Sequence, residues 1–195
     1  VRLVLASRSP QRRAILERLG VAFEVRPADV EEVEHGDGDA VARDNALRKA
    51  LAAAPAPGEV VIAVDTIVTL DGEIYGKPAN PTEALETLAA LSGRTHTVIS
   101  GLVLLESAGS PLIYSAATKV TFRDLDQSLR DWYVATGEWR ERSGGYAVQQ
   151  AGGALIKRIE GDYNNVVGLP LALLLDVWPS LLDRHPRPPG GHPSR

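Results

Sequence analysis

The stretch LASRSPQRR, residues 5–13, sets two hydroxyls, Ser7 and Ser9, beside two adjacent arginines, Arg12 and Arg13. Ser9 is a good helix N-cap type, and Pro10 suits the first helical position. Both arginines are therefore expected in a first helical turn. Cations there cost roughly a few tenths of a kcal/mol each, because that end already carries partial positive charge. A bound anion reverses the sign, since a strand, a polar turn and a helix N-terminus present backbone N–H groups to a phosphate. The alternative is that both arginines turn to water or pair with Glu17.

The second candidate is Asp65 in AVDTIV. A carboxylate ending an apolar run is expensive to bury unless it is used or satisfied. It can bind a divalent cation or activate water; the alternative is a turn aspartate bonded to local backbone. Lys49 in LRKA and Lys77 in YGKP can meet a phosphate as point charges. Glu31 and Glu32 can add metal oxygens. Gln149, after GGYAV, carries an amide able to read a base edge. No P-loop and no dinucleotide-binding glycine motif occurs, and the four histidines lack zinc spacing.

Composition removes other classes. There is no cysteine, hence no disulfide and no thiolate site. The formal net charge of −4 argues against a general nucleic-acid binder. Arginines interrupt the apolar N-terminal run and no apolar run can span a bilayer, so neither a leader nor a membrane partner is expected and a cytoplasmic protein is. Residues 1–20 hold five arginines and one acid, while residues 29–44 hold seven acids against Arg43. That pairing suits a phosphate ester and its metal; the plainer explanation is two solvated faces.

These residues need elements to position them. Strands are expected at residues 3–6, 21–26, 59–65, 95–106 and 112–122, and also over GGYAVQ and ALIKRIEG. A hairpin is expected around Asp71–Gly72. Helices are expected from Pro10 to Gly20, over about 39–54, over 80–93 with Asn80 as cap, from Asp124 or Asp126 to Gly137, and over 169–182 with Pro179 inside. Hairpin-joined strands interleaved with helices predict an α/β fold with a mixed sheet, in one domain over 1–184. HPRPPGGHPSR, residues 185–195, reads as a disordered tail.

Together these motifs resemble the Maf family of nucleotide pyrophosphatases. LASRSPQRR, LRKA, AVDTIV, DGEIYGKP, LSGRTHTV, TFRDL, YVATGEW, GGYAVQ and EGDYNNVVGLPL follow the family's order over residues 3–175. The resemblance implies an elongated fold with a deep central cleft, dependence on a divalent metal (Mg²⁺ or Mn²⁺) and a homodimer. It implies hydrolysis of a nucleoside triphosphate to the monophosphate and pyrophosphate by metal-assisted attack of water at the α-phosphate. Some members are linked to arrest of septum formation.

By motif, Asp65 matches the proton acceptor and, with Glu32, a metal ligand. Ser7 and Arg12, with Arg13 beside them, match the phosphate site, as do Lys49 and Lys77. Thr66 and Gln149 match positions that separate substrate classes, and the Asp-Thr pair with GGYAVQ resembles the branch acting on dTTP and UTP. Gln11 departs from the family's usual arginine at a third such position. Glu141, Ser143 and Gln150 replace common Gly, Ala and Gly. A 7-methyl-GTP or other unusual-nucleotide pyrophosphatase competes with this reading, as does a non-catalytic nucleotide-binding division regulator.

Overall fold

The computed structural model describes residues 1–184, so the tail over 185–195 lies outside the described residues. The apolar runs form seven strands: β1 (Arg2–Leu5), β2 (Phe23–Val25), β3 (Glu59–Leu70), β4 (Glu73–Tyr75), β5 (Thr95–Glu106), β6 (Leu112–Phe122) and β7 (Ile156–Glu160). They make one sheet in the order β2-β1-β3-β5-β6-β7, with β4 also on β3. β2, β1 and β3 run parallel and the other pairings are antiparallel, the mixed sheet that the hairpins predict. Among the described residues, no helix is long and apolar enough to cross a membrane.

The helices are α1 (Pro10–Arg18), α2 (Gly38–Ala53), α3 (Pro81–Leu91), α4 (Gln127–Thr136), α5 (Tyr163–Val167) and α6 (Leu171–Val177). Their starts follow local chemistry. Ser9, Asn80 and Asp126 each cap a helix by accepting the backbone N–H of the residue three positions on. Asp126, not Asp124, is therefore the cap of α4. Asp71 and Gly72, at φ 53° and 87°, make the β3–β4 turn with both central residues left-handed.

Three elements differ from expectation. GGYAVQ is not a strand: Ser143–Gly145 is a short 3-10 turn, and Gly144 and Gly145 take φ 71° and 67°, which no strand allows. The terminal helix stops at Val177, before Pro179, which lacks the N–H and clashes with the preceding turn. Residues 179–184 continue as a separate 3-10 turn. α5 was not anticipated, because five residues are too short to show a period; Asp162 caps it by accepting from Asn164 N at 2.7 Å.

Strand alternation sorts β3 into two faces. Val61 and Ala63 pack with Ala46 and Ala50 of α2. Val60, Ile62 and Val64 pack on the other face with Ile15 and Leu16 of α1 and Leu174 of α6. Further along that second face, Val68 and Leu70 join Leu88 of α3 and Tyr133 of α4 in a separate core. Both cores share β3 and β5, each 12 residues long, or roughly 40 Å.

The other edge of β3 is interrupted. Its pairing with β1 ends at Leu5↔Ile62, and its pairing with β4 begins at Val68↔Tyr75. Residues 63–67 lack a strand neighbour on that side. Asp65 and Thr66 sit in this gap, where the two cores meet and a cleft of about 850 Å³ opens. Gly101 pairs with Asp65 across the sheet. A Cβ there would stand 2.2 Å from the Ala42 carbonyl oxygen, so glycine is what lets α2 approach so closely.

Candidate functional site

Alternation turns Asp65 toward α2 and Thr66 toward the opposite face. α2 presents Asn45 and Lys49 from successive turns, four residues apart and so on one side. Lys49 Nζ donates to Asp65 Oδ1 at 2.5 Å, and Asn45 Nδ2 donates to Asp65 Oδ2 at 3.2 Å. Both carboxylate oxygens of a residue only 6% exposed are thus satisfied.

The acidic loop before α2 arrives at the same place. Lys49 Nζ also meets Glu32 Oε1 at 2.6 Å, and Lys77 Nζ lies 3.6 Å from Glu32 Oε2. Asn45 fixes the loop, since its Oδ1 accepts from Val33 N at 2.7 Å and its Nδ2 donates to Val33 O at 2.9 Å. Partial burial raises the Glu32 pKa, but Lys49, Lys77 and Arg12 together hold it below the ordinary carboxylate value. Glu32, not Glu31, lines the cleft.

On the opposite face Arg12 reaches back from the first turn of α1. Its Nε donates to Gly168 O at 2.7 Å, Nη1 to Ser7 Oγ at 3.0 Å and Nη2 to Thr66 Oγ1 at 3.1 Å. The Thr66 hydroxyl also shares a 2.8 Å bond with Ser100 Oγ. Burial lowers the Arg12 pKa, while Asp65 and Glu32 pull it back up; the guanidinium stays charged, as arginines do. Arg13 does not join it. Its Nε donates to Glu17 at 2.6 Å on the exposed side of α1, and it does not line the cleft. Adjacent helical residues point about 100° apart, and here that turn puts Arg13 on the side of α1 away from the cleft. Gln11 does line it, with its Oε1 taken by the Ser9 hydroxyl at 3.1 Å.

The far wall is the segment 141–150. Gln149 lines the cleft from this irregular loop and is exposed. Regular structure holds the loop from behind. Tyr133 Oη accepts from Ala147 N at 3.0 Å, and Glu138 accepts from Ala151 N and Gly152 N at 3.1 and 3.2 Å. Burial pushes the Tyr133 hydroxyl up to about 12. Ser143 Oγ donates to Thr66 O at 2.9 Å, tying this wall to the open edge of β3. Beneath the wall, His96 Nε2 and Tyr146 Oη lie 2.8 Å apart. Burial depresses the His96 pKa to about 4.

Asn45, Ser100 and Arg142 were missed by sequence reasoning, and Ser143 was read only as a departure from the family's pattern. Asn45, Ser100 and Ser143 are ordinary polar residues whose partners come from distant segments. Arg142 lines the cleft and its Nε is buried without a hydrogen-bond partner. Its signal was a basic residue two places before a glycine pair, too common to single out.

The cleft therefore gathers a buried carboxylate, a second carboxylate and several cations around one strand edge. The same motifs match the sequence profile of Maf-like proteins over residues 2–180. The chain belongs to the Maf family. Among Maf relatives, it is 48% identical to a dTTP/UTP pyrophosphatase from Anaeromyxobacter dehalogenans (strain 2CP-C), covering 88% of this chain and 89% of that one. It is 43% identical to a dTTP/UTP pyrophosphatase from Pyrococcus furiosus, over 90% of this chain and 93% of that one. Among solved structures, a HAM1 protein from Coxiella burnetii aligns at 23% identity and a TM-score of 0.48, covering 80% of this chain and 91% of that one.

A divalent cation fits the donor set only in part. Among the described residues, no group of three or more His, Cys, Asp or Glu side chains could hold one. Asp65 and Glu32 would supply two hard oxygen ligands, at the oxygens that Lys49 bridges. That is the number Mg²⁺ commonly takes from protein when substrate phosphates and water complete its shell.

Proposed function

We propose that this Maf protein hydrolyses nucleoside triphosphates, with dTTP and UTP preferred, to the monophosphate and pyrophosphate. The observation that carries the reading is the junction at the open edge of β3, where Asp65, Glu32, Lys49 and Arg12 converge in one cleft. The preference for dTTP and UTP draws its support from the relatives' names and from Thr66 and Gln149 in the matching motifs.

In this mechanism Arg12 and Ser7 hold phosphate oxygens at the end of α1, with Lys77 on the other side. Arg12 is pre-aimed by Gly168 and Thr66, so little ordering is needed when substrate arrives. Asp65 orients a water and takes its proton as oxygen attacks the α-phosphorus. The bond from that phosphorus to the bridging oxygen breaks, and pyrophosphate leaves toward the cations. Mg²⁺ or Mn²⁺, held by Asp65 and Glu32, would supply Lewis-acid polarisation of the phosphate oxygens. Gln149 and Gln11 face the same space from the two walls and read the base.

The test is incubation of pure protein with Mg²⁺ or Mn²⁺ and a panel of nucleoside triphosphates that includes dTTP, UTP, 7-methyl-GTP and ITP. Pyrophosphate and orthophosphate are measured separately. Pyrophosphate with dTTP and UTP is the expected result. Pyrophosphate with another base keeps the reaction and overturns the preference, and orthophosphate alone overturns the reaction.

A further inference from the structure

The ammonium of Lys49 stands where a divalent cation held by Asp65 and Glu32 would have to stand. It lies 2.5 Å from Asp65 Oδ1 and 2.6 Å from Glu32 Oε1, and its side chain is only 12% exposed. The seat is rigid, because Asn45 holds both the other oxygen of Asp65 and the backbone next to Glu32. Two cations a few ångströms apart repel strongly in a partly buried site, so the metal and Lys49 cannot share these oxygens.

Resting on the pyrophosphatase reading above, we propose that Lys49 occupies the metal seat until a nucleotide's phosphates draw its ammonium away. The metal then enters as part of a metal–nucleotide substrate and not as a resident ion. Three features agree. Two carboxylates alone are a weak site for a small hard cation, which needs phosphate oxygens to complete its shell. Glu32 keeps a partner when Lys49 leaves, because Lys77 Nζ is 3.6 Å from its second oxygen. A lysine on a flexible stem is suited to such an exchange, whereas Arg12, held by three separate partners, is not.

Mn²⁺ binding, read from the paramagnetic resonance of the free ion, tests this without turnover. The full chain is titrated alone and with a non-hydrolysable α,β-methylene analogue of dTTP. Wild type should bind Mn²⁺ about tenfold more tightly, or better, with the analogue present. Lys49→Gln should bind Mn²⁺ about tenfold more tightly than wild type with no nucleotide, and adding Asp65→Asn should abolish that gain. Wild-type affinity that is equal with and without analogue overturns the proposal, whether or not Lys49→Gln folds. So does a folded Lys49→Gln with wild-type affinity. Pyrophosphate release from dTTP, run in parallel, separates the two ideas. Release without the Mn²⁺ effects leaves the reaction standing and removes the exchange; the Mn²⁺ gain in Lys49→Gln without any release does the reverse.

Discussion

The two walls of the cleft are built by different means. The wall at β3 hangs five of its side chains on regular elements, Asp65 and Thr66 on a strand, Asn45 and Lys49 on one helix and Arg12 on another, with Glu32 brought in by the loop before α2. The wall at 141–150 is irregular, and helix α4 with the turn after it grips it by Tyr133 and Glu138. The Asp65–Lys49 pair sits on scaffold, and Gln149 faces the cleft from a loop. The difference also marks how each can change, since a loop accepts substitution that a packed strand does not. Glu141 shows this: it holds φ 57° at the cleft rim, a left-handed conformation that favours glycine.

The sharpest way to break this comparison is Asp65→Asn. Pyrophosphate release should fall by about 10² or more while the thermal unfolding midpoint stays close to wild type. Near-normal turnover would take Asp65 out of the chemistry.

Acid should separate the walls next. His96 has its folded pKa lowered to about 4 from 6.5, so the unfolded state binds the proton first as pH falls. Its contribution is complete above pH 6.5 and declines down to about pH 4, by about 3 kcal/mol in all. Glu59, paired with Arg26 and Arg2 near the far end of α2, is lowered to about 2 from 4.5, mainly by its bond to Arg26. Its contribution declines only between those lower values. On acidification the His96 contribution, beneath the loop wall, should therefore be lost before that of Glu59. Denaturant melts from pH 7 to 4 should show a slope that His96→Gln flattens; an unchanged slope would refute the assignment.

Gly101→Ala is aimed at the scaffolded wall. The added methyl meets the Ala42 carbonyl, so α2 must shift, at a cost of about 2 kcal/mol. Turnover should fall with it, because Asn45 and Lys49 move together. The smallest effect is expected from Tyr133→Phe, which removes the acceptor for Ala147 N–H at about 1 kcal/mol. KM for nucleotide should rise several-fold with kcat little altered. A kcat loss like that of Asp65→Asn would erase the distinction between the walls.

Legibility in the sequence followed the same division. The caps at Ser9 and Asn80, the Asp71–Gly72 turn and the paired long strands are local signals, and each forms. Asp65 stood out because a charge ending an apolar run demands a partner. What that partner was did not show, since Asn45 and Lys49 lie on another element 20 and 16 residues away. Arg12 and Arg13 read as equals, and only helix rotation separates them. The loop wall was least legible. GGYAVQ has the alternation of a strand, yet its two glycines adopt left-handed angles that the letters alone leave open.

The bond from Arg12 to the carbonyl of Gly168 joins positions 156 residues apart. A chain grows from its N-terminus, at roughly 5–20 residues per second. The arginine therefore waits, several seconds at least, for the backbone that aims it. By then β3, β5 and their helices have been made and can fold around it. The wall that carries Arg12 is therefore completed only when a carbonyl made 156 residues later arrives. A chain truncated before residue 168 would hold every strand of the sheet and still lack the carbonyl that aims Arg12.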